Sequence, residues 1–169
     1  MKKFKALLFY TACMSLLVFA ACSSGGDDDD ATPSAGETQS EAISGTWSTD
    51  FSTNENAITF DGQSRAEDWS NFSLTISGAS ENADGVWGGT YSASGQPSGD
   101  GQIIWPSSGT WVFPSATSTQ LMIRNDGVEI SIVSVSENEL ALRFTVADPN
   151  ARAAGFFDAQ WSFTITKGN

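Results

Sequence analysis

From residue 43 onward the apolar residues recur with period two, and nowhere do they hold a period of 3.6 over three turns. Period two is the spacing of strands with one buried face, so the sequence predicts an all-β domain. The clearest strands are 71–77, with Phe72, Leu74 and Ile76 on one face, and 139–146, with Leu140, Leu142, Phe144 and Val146 opposite Ala141, Arg143 and Thr145. Residues 160–166 repeat the pattern with Trp161, Phe163 and Ile165. Weaker strands are expected at 45–51, 57–61, 86–91, 102–105 and 109–113.

Turn chemistry separates these runs. Asn125-Asp126-Gly127 lies between strands expected at 119–124 and 128–135, and Asp-Gly supplies the positive φ angles of a tight hairpin. Ser136-Glu137-Asn138 turns the chain again, so three successive strands form a meander. Within 128–135 the apolar phase slips from Val128, Ile130 and Ile132 to Val133 and Val135, which predicts a bulge where the sheet bends. Bending and consecutive hairpins favour an antiparallel up-and-down barrel or half-barrel of about eight to ten strands. The rival is an immunoglobulin-like β-sandwich, whose Cys, Trp, Cys spacing the chain lacks. One short helix is expected after Asp148-Pro149, over 150–154, with Phe156 and Phe157 plugging a sheet end.

The tetrapeptide Ser44-Gly45-Thr46-Trp47 recurs as Ser108-Gly109-Thr110-Trp111, two strand starts of the same kind. Gly45-Thr46-Trp47 at the head of the first strand resembles the Gly-x-Trp signature of lipocalins. Together with 109–113, 121–123 and 139–142, it makes residues 43–169 similar to the lipocalin-like domains of Bacteroidetes lipoproteins. That resemblance implies a barrel open to a small ligand. Lipocalins set an arginine of the last strand over the signature tryptophan; here the last strand offers Lys167.

The amino-terminal segment predicts an address. Met1-Lys2-Lys3-Phe4-Lys5 is basic, and residues 6–21 are apolar apart from Thr11 and Ser15, as in an export signal. Sixteen helical residues rise about 24 Å, short of a hydrocarbon layer of about 30 Å, so removal is expected rather than spanning. Phe19-Ala20-Ala21-Cys22 resembles the lipobox of bacterial lipoproteins, which implies a diacylglyceryl thioether and an acylated amino group on Cys22. Three chains at about 0.8 kcal/mol per buried methylene make such an anchor effectively permanent. Ser23-Ser24-Gly25-Gly26 and the four aspartates 27–30 resemble the acidic export tether of Bacteroidetes surface lipoproteins, which implies an outer-membrane location facing the exterior. Physically the run is a self-repelling, solvated linker. The expected organisation is therefore a signal peptide at 1–21, a lipidated cysteine and flexible acidic linker at 22–42, and a β-domain at 43–169.

Charge and composition narrow the chemistry. The formal charge of −12 becomes −15 once Lys2, Lys3 and Lys5 are removed, so nucleic acid and anionic lipid surfaces are excluded as expected partners. Cys13 falls in the signal and Cys22 is taken by lipid, leaving packing alone to stabilise the domain. Histidine is absent, which removes the commonest general base, the usual zinc ligand and every Ser-His-Asp arrangement. The Gly-rich run 85–101 has no Gly-Lys-Ser/Thr, so no phosphate cradle is expected. A carboxylate-pair hydrolase would draw on Asp61, Glu67, Asp68, Asp84, Asp100 and Asp158, but no motif fixes two of them at a working separation. No enzyme, cofactor or metal is expected.

Tryptophan is the informative residue type. Trp47, Trp111 and Trp161 share strand faces with other apolar residues and are assigned to the core. Trp69, Trp87 and Trp105 lie in loop-like surroundings, beside Asp68, Gly88-Gly89 and Pro106. With Tyr91 they are the candidate ligand contacts, able either to stack on a sugar or line a cavity mouth, or to cap the barrel ends as plugs. The expected function is a lipid-anchored, non-enzymatic binding module for a small apolar molecule or a glycan. The alternative is a structural or protein-interaction component of the envelope. Labelled palmitate should enter the wild-type product and be lost from Cys22→Ser; equal labelling of both would remove the anchor.

Overall fold

The computed structural model describes residues 32–146 and 160–168. The helix expected over 150–154, Phe156, Phe157, Asp158, Cys22 and the signal and aspartate run lie outside the described residues.

The first described element is a helix where a flexible linker was expected: α1, Ala35–Ile43. Ser34 caps it by accepting from the Glu37 amide at 3.0 Å, while Glu37 Oε2 accepts from the Ser34 amide at 3.3 Å. This reciprocal box satisfies two donors that a helix start leaves orphaned. Gly36, Ser40 and Ile43 are buried, so the domain begins about one helix earlier than residue 43.

Ten strands follow: β1 Gly45–Ser48, β2 Ile58–Phe60, β3 Gln63–Ser64, β4 Ser73–Glu81, β5 Trp87–Ser94, β6 Ser108–Val112, β7 Leu121–Arg124, β8 Glu129–Val135, β9 Glu139–Thr145 and β10 Gln160–Lys167. Two short helices interrupt them, α2 at Ala66–Trp69 and α3 at Asp100–Ile104. Strands β1 and β4 to β10 pair antiparallel in sequence order, and β10 returns to β1 through Trp47↔Lys167 and Ser48↔Thr166. The result is a closed, eight-stranded, up-and-down barrel, which excludes both the half-barrel and the sandwich.

The seam of this barrel is shared. β1 is only four residues long and covers the end of β10, whereas β2 pairs with Trp161, Ser162 and Phe163 further up the same edge. The β2–β3 hairpin thus covers backbone groups that a short first strand leaves open.

The expected strand phases hold. Phe72 just before β4 and Leu74 and Ile76 within it, Leu140, Leu142 and Phe144 in β9, and Trp161, Phe163 and Ile165 in β10 all point inward and are buried. The β8 phase slip is a bulge between Ile132 and Ser134, and it leaves Val133 half exposed. Two local readings need correction. The β7–β8 hairpin has a three-residue loop in which only Gly127 takes positive φ (84°), with Gly127 N–H donating to Arg124 O at 2.9 Å. Residues 102–105, expected as a strand, belong to α3 and its cap, because a four-residue apolar run ending at Pro106 has no decisive period.

Eight strands enclose a space just wide enough for side chains to fill. Here it is filled by rings. Phe163 lies with its centroid 5.2 Å from Phe72, 5.3 Å from Trp69 and 5.4 Å from both Trp105 and Phe144. Each such pair contributes about 0.5–1.5 kcal/mol beyond area burial. Deleting one ring should be costly: Phe144→Ala is expected to lose about 3–5 kcal/mol in urea unfolding, and its exposed neighbour Arg143→Ala less than about 0.5 kcal/mol.

Candidate functional site

The two barrel ends differ. Gly45, α1 and the β4–β5 turn lie at the end where the chain enters, and α2, α3 and the Asn125–Gly127 hairpin lie at the other, since Ser73 of β4 pairs with Ser94 of β5 there. The sequence-predicted tryptophans divide accordingly. Trp87 is half-buried at the entry end, where a Cβ added to Gly36 of α1 would stand 2.5 Å from its ring. Trp69, Tyr91 and Trp105 belong to the core, at 1%, 5% and 1% exposure. Trp69 packs edge-on to Phe72 and Phe163, and Trp105 contacts Phe72, Tyr91, Phe144 and Phe163. Of the two roles the sequence left open for these aromatics, filling the barrel is the one that the burial of Trp69, Tyr91 and Trp105 fits, while Trp87 braces the amino-terminal helix at the far end. Burying an aromatic face recovers far more hydrophobic free energy than leaving it in a loop.

The strap joining β5 to β6 carries Trp105 inward. Gly99 starts α3 with φ 78°, and a Cβ on Gly101 would come within 2.7 Å of Pro97 Cδ, so both positions require glycine. Gln96 Nε2 donates to Trp105 O at 3.0 Å. Arg124 Nη1 donates to Ile104 O at 2.8 Å, satisfying a carbonyl at the end of α3. Only 2% of Arg124 is exposed; its guanidinium carbon lies 5.5 Å from the Trp105 ring centroid and 5.9 Å from Phe144.

A buried charge needs a partner. Asp126 supplies it, accepting from Arg124 Nε at 3.1 Å and from Nη2 through its second oxygen. Partial burial pushes the Asp126 carboxyl up, but the Arg124 hydrogen bonds and charge, with the Val128 amide, outweigh this and hold it below the ordinary carboxylate range. Beside the pair, burial raises the Tyr91 phenol, with Arg124 opposing and Asp126 adding to the shift.

Between α2 and α3 the barrel end holds a cavity of about 160 Å³. Trp69, Trp161 and Ile104 form its apolar wall, and Arg65, Asp68 and Asp100 bring charge to it. Arg65 and Asp68 form an ion pair at 2.8 Å, while Asp100 is exposed. Trp161 is 1% exposed, and its Nε1 is buried without an acceptor. Of the four candidate ligand contacts Trp69 lines this cavity, and of the candidate carboxylates Asp68 and Asp100 do.

No family model, curated protein or solved structure matches the chain.

Among the described residues no group of three or more acidic side chains could hold a metal ion. The carboxylates with displaced pKa among the described residues both move down: Asp126, and Asp50, whose oxygens accept from Ser52 and Thr53. A general acid requires the opposite displacement. Arg65, Ile104, Trp161 and the Arg124–Asp126 pair are the site residues that sequence reasoning missed. For Arg124 a signal existed, because it shares the inward phase of β7 with Met122.

Removing Asp126 leaves the Arg124 charge buried. Asp126→Ala should cost about 2–3 kcal/mol at pH 7, less than the roughly 3–5 of a wholly buried pair because Asp126 remains 37% exposed and water screens it. The folded pKa lies below the unfolded one, so the pair stabilises above the unfolded carboxylate pKa and loses this as pH falls through the folded value. Urea melts of wild type and Asp126→Ala should accordingly converge below about pH 4.

Proposed function

We propose that this chain is a lipoprotein anchored through Cys22 to the outer membrane, facing the exterior, and that its barrel is a non-enzymatic binding module. The observation that carries the binding reading is the α2–α3 cavity, where an apolar wall of Trp69, Trp161 and Ile104 meets Arg65, Asp68 and Asp100 at the barrel end opposite chain entry. A concave site with apolar walls and a few convergent polar groups is the usual form of a small-ligand site. The contact set is revised accordingly from Trp69, Trp87, Tyr91 and Trp105 to Trp69 with Trp161 and the three charged residues. The lipobox resemblance of residues 19–22 supports the anchor, and the acidic run 27–30 supports export to the surface. The composition supports a non-catalytic role, since histidine is absent and the domain from 43 has no cysteine.

A second reading has its own observation. The ring-filled axis favours a structural or protein-interaction component of the envelope, meeting a partner through its outer surface. Native mass spectrometry of protein taken from its own membrane is expected to show a bound small mass that Trp69→Ala or Asp100→Ala reduces. Bare protein throughout, together with crosslinking in cells to one stoichiometric partner, would replace the first reading with the second.

A further inference from the structure

We propose that α1 is a releasable clasp, which peels from the barrel as far as Ile43 while the strands stay closed. Helix α1 packs on β4 and β5 at the entry end. Its buried residues are Gly36, Ser40 and Ile43, and of these only Ile43 carries a large hydrocarbon side chain. Burial of apolar area is what fastens a short helix to its neighbours, so the docking is uneven along α1. The carboxyl-terminal turn is held by Ile43 itself and by Trp47 Nε1, which donates to Ile43 O at 2.8 Å. The amino-terminal turns have a glycine on an indole.

That contact leaves a demand unmet. A Cβ built on Gly36 would stand 2.5 Å from Trp87 Cδ1, so the helix backbone lies over the edge of the ring that carries the N–H. Cδ1 is bonded to Nε1, and among the described residues this nitrogen is buried without an acceptor, as is Gln39 Nε2 of the helix. Peeling α1 away returns both donors to water, which offsets part of what the contact contributes.

The hydrogen bonds of the helix do not oppose release. The Ser34–Glu37 box and the Ser40 hydroxyl, which donates to Glu37 O at 2.8 Å, all close within the segment. They order α1 without tying it to a strand. A helix of nine residues is too short to persist alone in water, so losing its dock costs it its turns as well. Segments held by few apolar contacts open in this way far below the free energy of global unfolding. Barrel closure does not require α1, because Trp47↔Lys167 and Ser48↔Thr166 lie beyond the hinge at Ser44 and Gly45, where Gly45 has φ 136°. The consequence is reach: residues 35–42 span about 12 Å as a helix and about 27 Å extended, a gain of about 15 Å. In a chain anchored through Cys22, the reading on which this consequence alone rests, the barrel gains that distance from its membrane.

The test is hydrogen exchange read by mass spectrometry on the full-length chain in detergent. Amides of residues 38–42 are expected to show protection at least tenfold lower than those of β9 and β10, at a rate that sub-denaturing urea leaves unchanged because the opening exposes little surface. Gly36→Ala, whose methyl meets the ring, should lower α1 protection a further tenfold and leave β9 and β10 within twofold. Alanine is the better helix former, so a helix held only by its own hydrogen bonds would gain protection instead. A Cβ on Gly36 would lie 3.4 Å from Trp87 Cβ, at the short edge of the roughly 3.5–4.5 Å that a disulfide spans, so Gly36→Cys with Trp87→Cys can close the clasp covalently. Oxidising that variant should raise α1 protection at least tenfold over its own reduced form. Protection of α1 equal to that of β9 and β10 in the wild type, a gain of α1 protection in Gly36→Ala, or an equal loss from all three elements there would overturn the proposal. Palmitate labelling decides the anchor separately: label absent with α1 still labile removes the added reach and leaves the clasp.

Discussion

The structure depends on the contact between Phe163 and the rings around it. With no thiol from residue 43 onward, the barrel has packing and its backbone ladders, and no disulfide, to hold its strands in register. Phe163 belongs to β10, the strand whose edge is divided between β1 and β2, and it meets Phe72 just before β4, Phe144 from β9, and Trp69 and Trp105 from α2 and the α3 cap. One side chain thereby ties the seam to the strand on one side, to the start of β4 beyond β1 on the other, and to the two helices at that end. The same contacts consume the space a central ligand would use. Packing therefore fills the barrel axis, and charged residues begin at its end, where the rings stop.

A second chain of contacts links the interior to that end. Asp126 neutralises Arg124, Arg124 holds the Ile104 carbonyl, and Ile104 walls the cavity. The arginine is buried at real desolvation cost, and replacement by an apolar side chain of similar volume is often neutral or stabilising in such positions. An apolar replacement would leave the Ile104 carbonyl without its donor. The retained charge is thus explained by the strap that carries Trp105 down and Ile104 across, since both positions depend on where α3 ends.

How far the sequence disclosed this follows from which signals are local. Inward phases of β4, β9 and β10 were legible because alternation over seven residues leaves one solution for which face is buried. The β8 bulge was legible for the same reason, as a break in that alternation. Ile103-Ile104-Trp105 was misread because so short an apolar run serves helix or strand equally, and only the Arg124 contact, remote in sequence, selects the helix end. The α1 box was present as Ser34-Ala35-Gly36-Glu37 but masked by an acidic, glycine-containing stretch that reads as linker. For the site, the sequence left two roles open for the loop-flanking tryptophans, ligand contact or plug, and Trp69 and Trp105 lie buried. A tryptophan beside a turn residue carries no sign of whether the chain folds it outward or inward; that is settled by the space left inside eight strands. The cavity draws Arg65, Asp68, Asp100 and Trp161 from three separate stretches, and no spacing rule joins them.

The entry end shows how a short motif acquires a physical reading independent of any likeness. Gly45 has φ 136°, a conformation that other residues rarely adopt, and a Cβ there would come within 3.0 Å of Lys167 Cε. The missing side chain therefore both permits the turn out of α1 and makes room for the lysine stem. Through that room Lys167 Nζ reaches a point 5.1 Å from the centroid of the Trp47 ring, within cation–π range. Trp47 in turn donates its Nε1 to Ile43 O at 2.8 Å, closing the carbonyl end of α1. Glycine, tryptophan and the cation of the last strand each require the others, and together they fasten the first helix, the first strand and the last strand at the two residue pairs where the barrel closes. Lysine places a point charge rather than a planar fork over the indole, and the hydrogen bond to Ile43 O comes from the tryptophan.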